Sequence, residues 1–231
     1  MQSQFDILVT GSSVGLANGF IGWSSVVLIK SGSTRILYDC GHHVTRPALL
    51  AALAARGLTP DDIDILFISH LHFDHVLNFD LFKHARILVS DTEWAYADEP
   101  HENDMFVPGY IRSALELTDL MVFTGEPEVA RGVKVLHTPG HTPGHHSLVI
   151  STAEQEQVVI AGDAIKTAQE ALLERSALEV MQFDPEQRGP ETIRRIKKIA
   201  DRIVPGHYPQ LRKLENTWVW DEMQPLDLVF R

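Results

Sequence analysis

Short apolar runs, broken by Gly, Ser, Asn and Asp, mark out the first part of the chain as strands. Residues 5–10, 24–30 and 34–39 read as strands, the last two joined in a hairpin around Ser31-Gly32-Ser33. Between the first two lies a Gly/Ser/Asn-rich loop, residues 11–22, which leads through Phe20 and Ile21 to Trp23. Residues 46–56 carry Leu49, Leu50 and Leu53 at helical spacing and stop at Gly57, which predicts a helix. The unbroken apolar run 63–68 then predicts a strand buried on both faces. A strand over 85–90 follows, and Asp91 is the expected N-cap of a helix over 92–97. Residues 98–119 mix prolines with Met105, Phe106 and Tyr110 and show no period, so they are expected to be an irregular lid or pocket wall. Beyond them, strands are predicted over 120–123, 133–136, 147–151 and 158–161, and helices over 168–181 and 191–203. Strands alternating with helices predict α/β layering.

At 231 residues and 44% hydrophobic content, the chain is long enough for one domain, 1–231, with a large core. Its end, 210–231, carries Trp218, Trp220, Leu226, Leu228 and Phe230. Such an apolar tail must cover either its own domain or a second copy in a homodimer. The formal charge of -11 argues against a broad nucleic-acid-binding surface, because phosphate binding needs clustered Lys and Arg. The single cysteine, Cys40, makes no internal disulfide, and residues 1–6 lack the basic and apolar regions of a secretion signal, so the cytoplasm is expected. No apolar run approaches the ~20 residues of a membrane span.

The chemistry concentrates where the strands stop. Ser69-His70-Leu71-His72-Phe73-Asp74-His75 places four metal-capable side chains in six residues directly after the run 63–68. In extended backbone alternate side chains share a face, so His70 and His72 can close on one metal while Asp74 and His75 turn toward a second. The bland alternative is a set of hydrogen-bonded core histidines, but buried polar groups without partners are costly and such a cluster rarely arises by chance. Further on, Thr138-Pro139-Gly140-His141, Gly162-Asp163 and Pro205-Gly206-His207 again set His or Asp beside turn-forming residues at element ends. Asp39 is a candidate for orienting a metal-binding histidine, and His145 for a supporting role. His42 and His43 read as hydrogen-bonded loop residues, and Cys40 as a small buried hydrophobe.

Taken in order, Asp39-Cys40-Gly41, the His70–His75 motif, Thr138-Pro-Gly-His141, Gly162-Asp163 and Gly206-His207 resemble the metallo-β-lactamase superfamily over roughly residues 5–209. That resemblance implies an αββα sandwich of two mixed β-sheets flanked by helices. It also implies that His70, His72 and His141 hold one metal, that Asp74, His75 and His207 hold the other, and that Asp163 bridges them. The implied ions are two Zn²⁺, with Fe or Mn also suited to these N/O ligands. The family's true β-lactamases lack a bridging Asp at this position, and its flavodiiron members carry Glu where His72 stands. The full set is the pattern of glyoxalase II, of N-acyl-homoserine lactonases and of the family's nucleases. Residues 69–75 look most like the lactonases, although the lactonase tyrosine three residues after the bridging Asp is Lys166 here.

The resemblance implies a dinuclear hydrolase in which a metal-bridging water attacks a lactone or small ester. Asp74 is the implied catalytic proton carrier to the leaving group. Lys166, Phe20, Trp23, Phe106 and Tyr110 are the candidate substrate-binding residues for a small-molecule substrate. The alternatives are a thioesterase or phosphodiesterase with the same site, or an iron-dependent oxidoreductase or metal-binding protein without turnover.

Overall fold

In the computed structural model, which describes residues 3–176, 184, 186–215 and 217–222, the chain folds in two contiguous halves, each building one sheet. The first half opens with β1 (Gln4–Val9), a small hairpin of β2 (Gly15–Leu16) and β3 (Gly19–Phe20), then β4 (Val26–Ser31) and β5 (Thr34–Tyr38). Helix α1 (Arg46–Ala54) leads to β6 (Ile65–Phe67), a one-turn helix α2 (Phe73–Val76), β7 (Arg86–Ser90), α3 (Asp91–Tyr96), α4 (Ile111–Leu115) and β8 (Leu120–Phe123). The second half runs β9 (Glu128–Ala130), β10 (Val133–His137), β11 (His146–Ser151), β12 (Gln157–Gly162), α5 (Ala168–Leu173), α6 (Arg188–Ile199), β13 (Arg202–Pro205), β14 (Leu211–Leu214) and β15 (Thr217–Trp220).

The sheet orders are β1-β4-β5-β6-β7-β8 and β15-β14-β13-β12-β11-β10-β9. Both are mixed: β5 through β8 run parallel, as do β12 and β13, while the remaining pairs are antiparallel. Strand residues sort by parity into three apolar layers. Val27, Ile29, Ile36, Tyr38, Phe67 and Leu88 meet Val135, Leu148, Ile150, Ile160 and Val204 between the sheets. Their neighbours Val26, Leu28, Leu37, Leu66, Ile87 and Val89 point the other way, onto Leu49 and Leu53 of α1 and Ile111 and Leu115 of α4. Val159, Ala161 and Ile203 cover Ile193 and Ile196 of α6 on the opposite outer face. The result is the αββα sandwich, and it explains the continuous apolar runs: strands buried on both faces have no polar alternation to show. A one-residue slip of β6 would exchange its two faces, so the packing fixes where the chain emerges at His70.

Several elements depart from the sequence expectations. The N-cap of α3 is Ser90, whose Oγ accepts from the Glu93 amide, and Asp91 lies in the first turn. The stretch 98–119 is not wholly irregular, because α4 buries Ile111 and Leu115. The helix expected over 191–203 stops at Ile199; Ala200 turns extended and Ile203 and Val204 alternate between two layers in a strand parallel to β12. Helix α5 ends at Leu173, before Glu174 with φ of 51°, and 177–181 of its expected span lie outside the described residues. The expected apolar tail begins as the paired edge strands β14 and β15, with Trp218 buried against the α6 layer; residues 223–231 lie outside the described residues. Among the described residues no helix is long and apolar enough to cross a membrane.

Candidate metal centre

The C-terminal ends of the parallel strands converge, which is where open α/β sheets characteristically place ligands. β5 delivers Asp39, β6 delivers Ser69 and His70, β12 delivers Asp163 and β13 delivers His207. His72 keeps extended backbone and caps α2, so the next turn brings Asp74 and His75 back toward His70. The turn from β10 to β11 supplies His141.

Two close backbone approaches shape this end of the molecule. A side chain at Gly206 would place a Cβ 1.9 Å from Asp163 Oδ1, and one at Gly162, whose φ is +53°, would meet the Tyr38 hydroxyl at 2.5 Å. Only glycine lets β13 run this near the carboxylate.

Seven side chains named from the motifs meet here. His70, His72 and His141 offer donor atoms within 4.8 Å of one another, as do His70, His75 and Asp163, and as do Asp74, His75 and His207. His72 Nδ1 faces His141 Nε2 at 3.0 Å. His207 Nε2 lies 3.3 Å from both Asp74 Oδ2 and Asp163 Oδ1. Asp163 divides its oxygens: Oδ1 is 3.3 Å from His75 Nε2, and Oδ2 is 3.2 Å from His141 Nε2. It thus stands between the two groups of histidines.

The outer ring atoms are committed elsewhere, which decides which atoms face inward. His75 Nδ1 donates to Asp39 Oδ2 at 2.7 Å, and His207 Nδ1 donates to the Ser12 carbonyl at 3.3 Å. His70 Nδ1 pairs with the Ser69 hydroxyl at 2.9 Å, and His72 Nε2 with Asp104 Oδ2 at 3.0 Å. Asp39 itself sits at a φ of 55°, a left-handed conformation that Asp tolerates better than most residues, and it also accepts from the Ser69 amide and hydroxyl.

These residues fit a metal. His70 Nε2, His75 Nε2 and Asp163 Oδ1, all atoms that face the cluster, are buried without a hydrogen-bond partner, a cost a protein rarely carries unless a ligand is meant to meet it. Burial holds His70 and His141 well below the usual imidazole pKa, hence neutral and with lone pairs available. At His75 burial acts in the same direction, but the carboxylates of Asp163, Asp74 and Asp39 outweigh it and hold the ring well above the usual range. Burial would raise Asp163, yet its neighbours His207 and then His75 hold it well below the usual carboxylate range. The cluster therefore demands positive charge among its carboxylates, and neutral imidazoles with carboxylates are the donor set of a divalent ion.

Outside the cluster, His145 Nε2 accepts from the Asp163 amide at 3.1 Å, and its Nδ1 donates to the Thr138 hydroxyl at 2.8 Å. Phe20 sets its ring edge-on to His207 and Phe73, and Phe106 stacks on Phe73. A cavity of about 730 Å³ opens beside His207, lined by Leu16, Phe20, Lys166, Leu173 and Arg175 among others. Lys166 Nζ lies 3.8 Å from Asp163 Oδ2. Trp23 stands apart: its indole donates to the Thr10 carbonyl and its ring packs on the core beneath α1. Tyr110 is exposed at the start of α4, away from this cavity. His42 is a buried residue bonded to the Gly22 carbonyl.

Sequence profiles agree with this geometry: that of the Metallo-beta-lactamase superfamily matches residues 22–207. The chain belongs to that superfamily. It is 30% identical over 210 residues to Metallo-beta-lactamase domain-containing protein 1 of Xenopus laevis, spanning 91% of this chain and 82% of that protein. N-acyl homoserine lactonase of Bacillus thuringiensis is 33% identical over 150 residues, 64% of this chain and 56% of that enzyme. A solved N-acyl homoserine lactone hydrolase, with N-hexanoyl-L-homoserine bound at its catalytic metal centre, superposes with a TM-score of 0.68 at 26% identity, covering 90% of this chain and 93% of that one.

Three residues that the sequence reading passed over support the superfamily's site here. Glu93, fully buried on α3, accepts from the Leu71 amide at 2.9 Å and the Thr142 hydroxyl at 2.7 Å, tying the His70-Leu71-His72 backbone to the turn that carries His141. Asp104 and Tyr96 stand behind His72. No local signal marked either carboxylate for this role: Glu93 stands third in α3, where an acidic residue is ordinary at a helix start, and Asp104 lies between helices.

Proposed function

We propose that this protein is a hydrolase with a dinuclear zinc centre that opens a lactone or cleaves a small carboxylic ester. The observation that carries the reading is Asp163, whose two oxygens face two different groups of histidines. His70, His72 and His141 would hold one ion, Asp74, His75 and His207 the other, with Asp163 shared. Such ions supply a Lewis acid for the scissile carbonyl and acidify a water near neutral pH.

The chain's own residues then have separable tasks. Asp74, with its backbone carbonyl held by the Ser24 hydroxyl at 2.6 Å, carries a proton to the leaving oxygen. Phe20, Phe73 and Phe106 shield the site from bulk water, which strengthens the electrostatic interactions within it. Lys166 and Phe20, on the cavity wall, position the substrate. The similarity to N-acyl homoserine lactonase supports the lactone, while two cations on the cavity wall, Lys166 and Arg175, favour an anionic thioester or phosphodiester as the second reading.

Elemental analysis after gentle purification, paired with parallel assays on lactone, ester, thioester and phosphodiester substrates, tests both statements. About two metals per chain and turnover of the lactone or ester are expected. Recovery of one metal even with zinc supplied would overturn the dinuclear reading, and turnover of the phosphodiester alone would replace the ester.

A further inference from the structure

Asp104 lies in the segment between α3 and α4, thirty-two residues from the histidine it contacts, and its carboxylate is buried. Three donors converge on it. His72 Nε2 donates to Oδ2 at 3.0 Å, the Tyr96 hydroxyl donates to the same oxygen at 2.7 Å, and the Phe106 amide donates to Oδ1 at 3.1 Å. A proton held on His72 Nε2 leaves the lone pair on Nδ1, the atom that faces His141.

The same segment also grips the metal motif through its backbone and its ring. The Phe73 amide donates to the Phe106 carbonyl at 2.9 Å, and the Phe106 ring packs against Phe73 and His72 with centroids 6.2 and 5.5 Å apart. Inside the segment the Asp104 amide donates to the His101 carbonyl at 2.7 Å, closing a turn around the carboxylate. One side chain therefore touches a metal-site ring at one end and sets the path of the 101–106 segment at the other.

We infer that Asp104 is a positioning residue that fixes the orientation and tautomer of His72, and through that contact couples occupation of the His70, His72 and His141 position to ordering of the 101–106 segment. The inference rests on the metal reading above. Carboxylates behind metal-binding histidines raise the ligand's basicity and restrict its rotation, and losing one weakens metal binding about 10- to 100-fold. Coupling is reciprocal: if the ion steadies His72, and His72 steadies Asp104, then the segment must be better ordered with the ion bound.

The test uses the full chain, stripped with a chelator and titrated with zinc against a competing indicator, together with hydrogen exchange over 101–106. For wild type, two binding steps are expected, and the exchange of the Phe106 amide should slow when zinc is added. Asp104→Ala should weaken one step about 10- to 100-fold, leave the other within about twofold, and abolish the zinc-dependent protection. Asp104→Asn, which keeps the shape and one acceptor oxygen, guards against loss of folding and should fall between the two. Tyr96→Phe removes a donor to the same carboxylate but leaves the His72 contact, so it should loosen the segment and, by the same reciprocity, weaken the coupled zinc step less than Asp104→Ala does. Wild-type affinity for both ions in Asp104→Ala and Asp104→Asn, or protection at 101–106 that is independent of zinc in wild type, would overturn the inference. Absence of zinc binding by wild type would instead remove the metal reading on which it stands.

Discussion

The main-chain amide of Asp163 donates to Nε2 of His145, so a histidine that reaches no metal-facing atom nonetheless holds the carboxylate shared by both groups. The Thr138 hydroxyl fixes the far side of the same ring, and burial keeps it neutral, as an acceptor at Nε2 must be.

From this contact follows a graded pair of effects. Asp163→Ala removes the shared carboxylate and should lower kcat/KM on the order of 1,000-fold, the several kcal/mol expected of lost metal-centred stabilisation. His145→Gln, which can still accept from the amide, should cost about tenfold. Steady-state kinetics on both variants, with metal content measured alongside, checks the order; equal losses would mean Asp163 is not the shared residue.

Lys166 is the residue most open to a charge test. Its ammonium sits 3.8 Å from Asp163 and on the wall of the cavity. If it steers substrate, Lys166→Met should raise KM for an anionic substrate by about fivefold and for a matched neutral one hardly at all. The difference should shrink as salt screens the wild-type attraction. Equal KM changes on the two substrates would return specificity to the apolar wall.

Glu93 clamps two metal-bearing turns without touching either imidazole set. Glu93→Ala leaves the Leu71 amide and Thr142 hydroxyl buried without partners and should cost about 3 kcal/mol in urea unfolding. A loss under about 1 kcal/mol would show that the two turns hold each other without it.

One source of acid sensitivity lies away from the cluster's donor atoms. His146 is buried against His137 and Phe123, and burial pushes its pKa down to about 4 while its Nδ1 donates to the Gly144 carbonyl. Between about 4 and the ordinary value of 6.5 the unfolded chain therefore binds a proton that the folded chain refuses. Stability from this group is complete above about pH 6.5 and drains away as the pH falls toward 4, by an amount on the order of 3 kcal/mol. His146→Asn can keep a donor to Gly144 but cannot titrate there. In thermal melts with chelator present, its Tm should fall several degrees less than that of wild type between pH 7 and pH 4.5. Parallel curves would show that burial does not lower the proton affinity of this ring.

The legible parts of this molecule were those with local causes. Runs such as 63–68 and 158–161 announced strands because both faces are buried, and the His and Asp residues of the cluster sat in short motifs beside Pro and Gly. Strands β13, β14 and β15 were less visible: Ile203 and Val204 continue the apolar spacing of α6, and only pairing with β12 makes them extended. The supporting carboxylates were hidden for a similar reason. Glu93 and Asp104 act on residues 22 and 32 positions away, so nothing in their immediate neighbours marks them. Asp39 could be anticipated because it ends a strand next to the expected site.

The seven metal-facing side chains are shared out unevenly between two separate lengths of chain. His70, His72, Asp74 and His75 belong to the half that builds the sheet from β1 to β8, whereas His141, Asp163 and His207 belong to the half that builds β9 to β15. Neither half holds a complete set for either position. Ions held there would act as rivets between two slabs, and their removal would weaken the seam between the sheets before it disturbed the sheets themselves.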